Sequence, residues 1–142
     1  MTASPAETGA AFGTARVSQQ RRTIIATVEQ MDGAFTIDEL ACGARTADAR
    51  LGTATVYRAV AALEESGWLE RVGEREGSVL YARCGAGHRH HHHVVCEQCG
   101  RVQATECPVV VSAKTDGYRI TRHEVTLYGI CPQCLDDAHR GV

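Results

Sequence analysis

The sequence predicts an α+β chain: a helical N-terminal unit closed by a hairpin, then a smaller strand-rich unit. Three observations carry that prediction. Apolar residues recur at helical spacing through the first half. The turn-forming stretch Gly73-Glu74-Arg75-Glu76-Gly77 separates two short apolar runs. From Cys84 onward β-branched runs replace the helical period, and a Cys-x-x-Cys stands at Cys96/Cys99 and again at Cys131/Cys134.

Residues 1–15 (MTASPAETGAAFGTA) read as a disordered tail without the basic start and apolar run of a secretory signal. Ser18 caps a first helix whose Ile24, Val28 and Met31 share a face, and Asp32-Gly33 stops it. Thr36 and Glu39 form a capping box for a second helix, with Phe35 and Leu40 at the positions of a hydrophobic staple. A third helix follows Leu51-Gly52 with Thr53 as cap, carries Val56, Val60 and Leu63 on one face, and ends at Gly67. Its other face shows Thr55 and Arg58, with the ring of Tyr57 at the edge. Strands are expected over Trp68 to Val72 and Ser78 to Tyr81.

Three helices and a hairpin make a winged helix-turn-helix over residues 16–83, a fold that sets its third helix in a major groove and its hairpin over the backbone. The fold also serves in protein-interaction modules, so it does not settle the partner. Charge does not help: the net charge of −2 lends nucleic-acid binding no support. Arg16, Arg21 and Arg22 form a local basic arm, suited equally to a solvated helix start and to phosphate contact.

Residues 84–142 form the second unit, with strands expected over Val94 to Cys96, Gly100 to Gln103 and Tyr118 to Ile130. A domain this small needs a staple. Seven cysteines, an odd number, argue for thiolates on metal in a reducing compartment, not for disulfides. No stretch approaches the ~18 apolar residues of a membrane span, so the expected location is cytoplasmic.

Cys96, Cys99, Cys131 and Cys134 suit a closed tetrahedral zinc site of structural type. A redox Cys-x-x-Cys or an iron-sulfur cluster competes, but no thioredoxin-like βαβ pattern accompanies the pairs. Just upstream, the histidines of HRHHHH alternate in an extended chain: His90 and His92 face one way, His91 and His93 the other. One run can therefore feed two sites. A solvated tract or a tag is the bland alternative, yet this run is internal and abuts the cysteines.

The order of Thr55-Val56-Tyr57-Arg58, the histidine cluster, Cys96-x-x-Cys99-Gly100, Arg122-His123-Glu124-Val125 and Leu127-Tyr128-Gly129-Ile130-Cys131-x-x-Cys134 resembles the ferric uptake regulator family across residues ~16–135, and most of all its zinc uptake regulators. That family comprises dimeric, metal-responsive transcription repressors. The resemblance implies a C-terminal α/β dimerisation domain, a homodimer and an operator DNA partner. It implies base and phosphate contact by Tyr57 and Arg58, and a minor-groove role for Arg16. It further implies one regulatory site of His90, His92 and His123 plus an acidic residue, and a second of His91, His93, Cys84 and Glu70.

A soft Cys84 thiolate would favour zinc over iron(II) or manganese(II). The segment after Cys99 is about five residues shorter than the family pattern, and its Val109-Val110-Val111 makes a poor helix. The acidic ligand is then Glu106, with Cys107 as the alternative, while Cys42 reads as core.

The expected function is zinc-responsive repression. Iron, manganese or peroxide sensing is the alternative within the family, and zinc buffering or an adaptor role the alternative outside it. A zinc hydrolase is disfavoured by the lack of a His-Glu-x-x-His helix or a nucleophile elbow, so no catalytic residue and no small-molecule substrate are expected.

Overall fold

The computed structural model describes residues 11, 18–83, 90–108 and 116–141. Helix α1 spans Gln19–Gln30, and the Ser18 hydroxyl accepts the N–H of Arg21. Helix α2, Ile37–Ala47, carries the reciprocal box: Glu39 N–H donates to Thr36 Oγ1 at 3.2 Å and Thr36 N–H to Glu39 Oε2 at 3.0 Å. Helix α3 spans Thr53–Glu65 and is capped by Gly52, not Thr53. The Thr53 hydroxyl is taken by the Arg45 guanidinium, and the Gly52 carbonyl accepts the N–H groups of Thr55 and Val56.

These helices bury one stripe each: Ile24, Ile25 and Val28; Leu40, Ala41 and Ala44; Val56, Ala59, Val60 and Leu63. They close on Phe35, Leu51, Leu69 and Tyr81, each fully buried aliphatic side chain contributing about 1.5–3 kcal/mol. Ala11, assigned by the sequence to a disordered tail, is also buried in this core, and its carbonyl accepts the Ser66 hydroxyl. Cys42, read as core, instead lies on the exposed side of α2.

The hairpin is β1, Glu70–Arg75, antiparallel to β2, Ser78–Ala82. It starts two residues later than expected because the amides of Trp68 and Leu69 both donate to Leu63 and so finish α3. Glu76 and Gly77 both take positive φ, the two-residue loop that matches strand twist. The register shifts between Arg71 and Gly73, a bulge that sets Val72 outside the ladder. Phe35 pairs with Tyr81 and ties the α1–α2 connection to the hairpin.

The second sheet has the order β4-β3-β5. Its central strand β3, His92–Cys96, is antiparallel to β4, Val102–Thr105, and parallel to β5, Thr126–Gly129. Each strand differs from its expected span. Strand β3 starts earlier, at His92; β4 starts later, because Gly100 turns with φ +74° to close the loop after Cys99. Strand β5 is far shorter than Tyr118 to Ile130, since residues 118–122 run exposed ahead of it. Helix α4, Pro132–Arg140, was not foreseen: its one buried residue is Cys134, so it lacks an apolar stripe to read. Residues 109–115, with the valine run, lie outside the described residues, as do Arg16, Cys84 and His88.

Candidate metal centres

The cysteine cluster grows from strand ends. Cys96 closes β3, the turn to Gly100 returns an N–H to the Cys96 carbonyl at 2.9 Å, and Cys96 pairs with Gly129 at the end of β5. Two residues later Cys131 caps α4, whose first turn carries Cys134. The four sulfurs thus meet, Cys96 to Cys134 at 3.9 Å and Cys99 to Cys131 at 3.8 Å. Sulfurs each about 2.3 Å from one tetrahedral ion stand about 3.8 Å apart, so the donor set fits zinc.

Backbone N–H groups of Cys99 and Cys131 point at Cys96 Sγ and hold its thiol down to about 6. Cys134, hydrogen-bonded to the Cys131 thiol and buried, is pushed up to about 12. Crowding so many sulfurs together disfavours a further anion until positive charge offsets it, the signature of a cation site.

The histidine run is extended, and its alternation delivers two more clusters. On one face Glu70, the first residue of β1, places Oε2 3.3 Å from His91 Nε2 and 3.1 Å from His93 Nε2. Burial holds His93 below the usual histidine range, with Glu70 pulling the other way, so its neutral ring keeps a lone pair for a metal. This cluster joins the hairpin of the N-terminal unit to the central strand of the second. Its expected fourth member, Cys84, lies outside the described residues.

On the opposite face stand His90, His92, His123 and Cys107, their ligand atoms within 4.8 Å of one another. His123 Nε2 is 3.1 Å from His90 Nε2 and 3.0 Å from Cys107 Sγ. Cys107 takes the place expected for Glu106, and the register explains the difference. His92 pairs with Thr105, so continuing the ladder sets Cys107 opposite His90 and on its face, while Glu106 turns to the other side and lies exposed. The alternation that sorted the histidines would have sorted these two residues had β4 been placed correctly.

His92 is 4% exposed, and its Nε2 has no partner. Val125 N–H donates to its Nδ1 at 3.1 Å. For His92 to offer a lone pair at Nε2, the ring proton must move to Nδ1 and Val125 must lose that acceptor. Val125 immediately precedes β5, so the metal site and that strand share a hydrogen bond.

On α3, Tyr57 is 51% exposed. Arg58 is exposed beside it, reaching Thr55 Oγ1 at 3.4 Å. All three lie away from the buried Val56, Val60 and Leu63. His139 is exposed in the last turn of α4, away from every cluster. No helix among the described residues is long and apolar enough to cross a membrane.

The chain resembles several known proteins in sequence and fold. The chain is 30% identical over 129 residues to a ferric uptake regulation protein of Campylobacter jejuni, covering 86% of this chain and 81% of the relative. It is 34% identical over 89 residues to one of Neisseria meningitidis, covering 59% and 60%. A zinc uptake regulator solved with zinc and DNA superposes with a TM-score of 0.72 at 24% identity, covering 94% of this chain and 93% of that one. A zinc-bound manganese uptake regulator superposes at 0.55 and 27% identity, covering 89% and 94%. The sequence profile of the ferric uptake regulator family matches residues 13–128, and with clustered metal ligands below a winged helix the chain belongs to that family of metal-responsive transcription regulators.

Proposed function

We propose that the chain is a zinc-responsive transcriptional repressor that binds operator DNA as a homodimer in the cytoplasm. The observation that carries this reading is Glu70, borne by the hairpin of the DNA-reading unit yet held between His91 and His93 of the second unit. When these ligands are shared by one ion, conformers with the two units locked together gain population, by as much as the ion prefers them. The locked state presents Tyr57 and Arg58 of both protomers about one helical turn apart (~34 Å) on the duplex. The donor sets support zinc: four thiols in the closed cluster, and a thiol among the imidazoles around His123. The fold shared with a zinc uptake regulator solved on DNA supports the same arrangement.

The test is a mobility shift of a candidate operator across buffered free zinc, iron(II) and manganese(II). Duplex binding is expected to rise with zinc at the lowest free concentration and to fall with Arg58→Ala. A response to iron(II) alone would instead favour iron sensing. Binding indifferent to metal and to Arg58 would leave an adaptor or zinc-buffering role.

A further inference from the structure

The second histidine cluster contains no carboxylate among the described residues: its donors are three imidazoles and one thiol. We propose that Cys107 is the selectivity ligand of this site, closing it as a four-coordinate centre that takes zinc and other thiophilic ions and rejects manganese(II) and iron(II). The inference deepens the reading of a zinc-responsive regulator and rests on it.

Three independent features place the thiol there. Continuation of the β3–β4 ladder sets Cys107 across from His90. Pro108 follows it, and a residue before proline is held in the extended region, which keeps the side chain on that face. Cys107 Sγ itself lies 3.0 Å from His123 Nε2, in one cluster with the buried, unpartnered His92 Nε2.

The selectivity follows from donor chemistry. Manganese(II) favours carboxylate, carbonyl and water oxygens, and iron(II) is most often held by imidazole with carboxylate. Three imidazoles and a thiolate form a compact tetrahedral set suited to zinc or cobalt(II). Four protein donors complete the tetrahedron that zinc prefers, whereas an octahedral ion would have to add oxygens from solvent to a set that offers none of its own.

The test uses the full chain with its cysteine cluster filled by zinc, in a Glu70→Gln, Cys84→Ser background that removes both the carboxylate and the thiol expected of the other exchangeable site. Cobalt(II) added to this protein is expected to give a sulfur-to-cobalt charge-transfer band together with tetrahedral visible bands. Cys107→Ser should remove the charge-transfer band while the tightly held zinc is retained, which shows that the chain remains folded.

Cys107→Asp supplies the second readout: the ratio of zinc to manganese(II) affinity should fall by at least about tenfold, since perturbing even an outer-shell partner costs about 10–100-fold. A charge-transfer band that survives Cys107→Ser, or a selectivity ratio unmoved by Cys107→Asp, would overturn the proposal. Neither readout involves DNA, so a chain whose duplex binding ignores zinc can still pass, and one that represses with zinc can still fail.

Discussion

Gly33 lies so close to Gly100 that a Cβ on Gly33 would stand 2.3 Å from the Gly100 carbonyl oxygen. That carbonyl accepts the N–H of Ala34 at 2.7 Å. Gly100 is the residue after Cys99, so the loop that carries two sulfurs of the cysteine cluster docks on the connection between α1 and α2. The loop that carries two of the clustered sulfurs therefore also contacts the helical N-terminal unit.

Gly33→Ala should break this docking. Its φ of +90° already strains any L side chain, and the new methyl displaces a carbonyl that cannot give way without its turn. The expected loss is about 2–4 kcal/mol, the sum of a backbone penalty of about 1–2 kcal/mol and about 1–2 kcal/mol for a lost, half-buried hydrogen bond with its strain. Gly77→Ala is the control, with φ +80° but open space around its Cβ, and should cost only about 1–2 kcal/mol. Denaturant midpoints of the two variants check this; equal losses would mean that the contact with Gly100 contributes nothing.

A second point of docking lies on the hairpin. The Glu74 N–H donates to the Tyr128 hydroxyl at 2.6 Å, and the Thr126 hydroxyl donates to the carbonyl of the bulged Val72 at 3.0 Å. Gly73 between them has no room for a Cβ, which would meet the Tyr128 oxygen at 2.7 Å. Tyr128→Phe should leave the hairpin folded and cost about 0.5–1.5 kcal/mol, with amide exchange at Glu74 accelerating selectively. Unchanged exchange at Glu74 would show that the hairpin is held by other contacts.

How much of this was readable in the residues depends on how local the signal is. The α1 cap at Ser18, the capping box of Thr36 and Glu39 and the sorting of His90/His92 from His91/His93 are settled within a few residues, and the structure has them as expected. The choice between Glu106 and Cys107 turns on the register of β4 against β3, a long-range fact that neighbouring residues do not carry. Helix α4 escaped because Cys134 is its one buried residue, so it shows no apolar stripe. The Gly33–Gly100 docking had only a Gly in each of two distant turns to announce it.

Helix α4 yields the third prediction. Nine residues fall short of the ~12–15 a free helix needs, and only Cys134 is buried. Cys134→Ser should therefore fray it, lowering helical circular dichroism by about the share of one short helix while α1 to α3 keep their own core. Stripping the tightly held metal from the wild-type chain should produce the same change. If α4 remains helical without its fourth sulfur, contacts other than Cys134 anchor it.

Glu70→Gln separates the locking site from the rest. Glutamine keeps the volume and one carbonyl oxygen but loses the charge that lies between His91 and His93. The Cys96/Cys99/Cys131/Cys134 cluster is remote from it in chemistry, so tightly held zinc should remain at the wild-type level. Zinc should still bind the three imidazoles and thiol around His123, but the two units lose their shared carboxylate, and the zinc-driven gain in duplex affinity should shrink by about 10–100-fold. Affinity in the absence of added zinc should stay as it was, because a charge that acts only through a shared ion changes nothing without one. A variant that binds duplex weakly with and without zinc would place Glu70 in DNA contact or folding instead, and would remove the coupling between hairpin and strand β3 from the account of how the chain responds to metal.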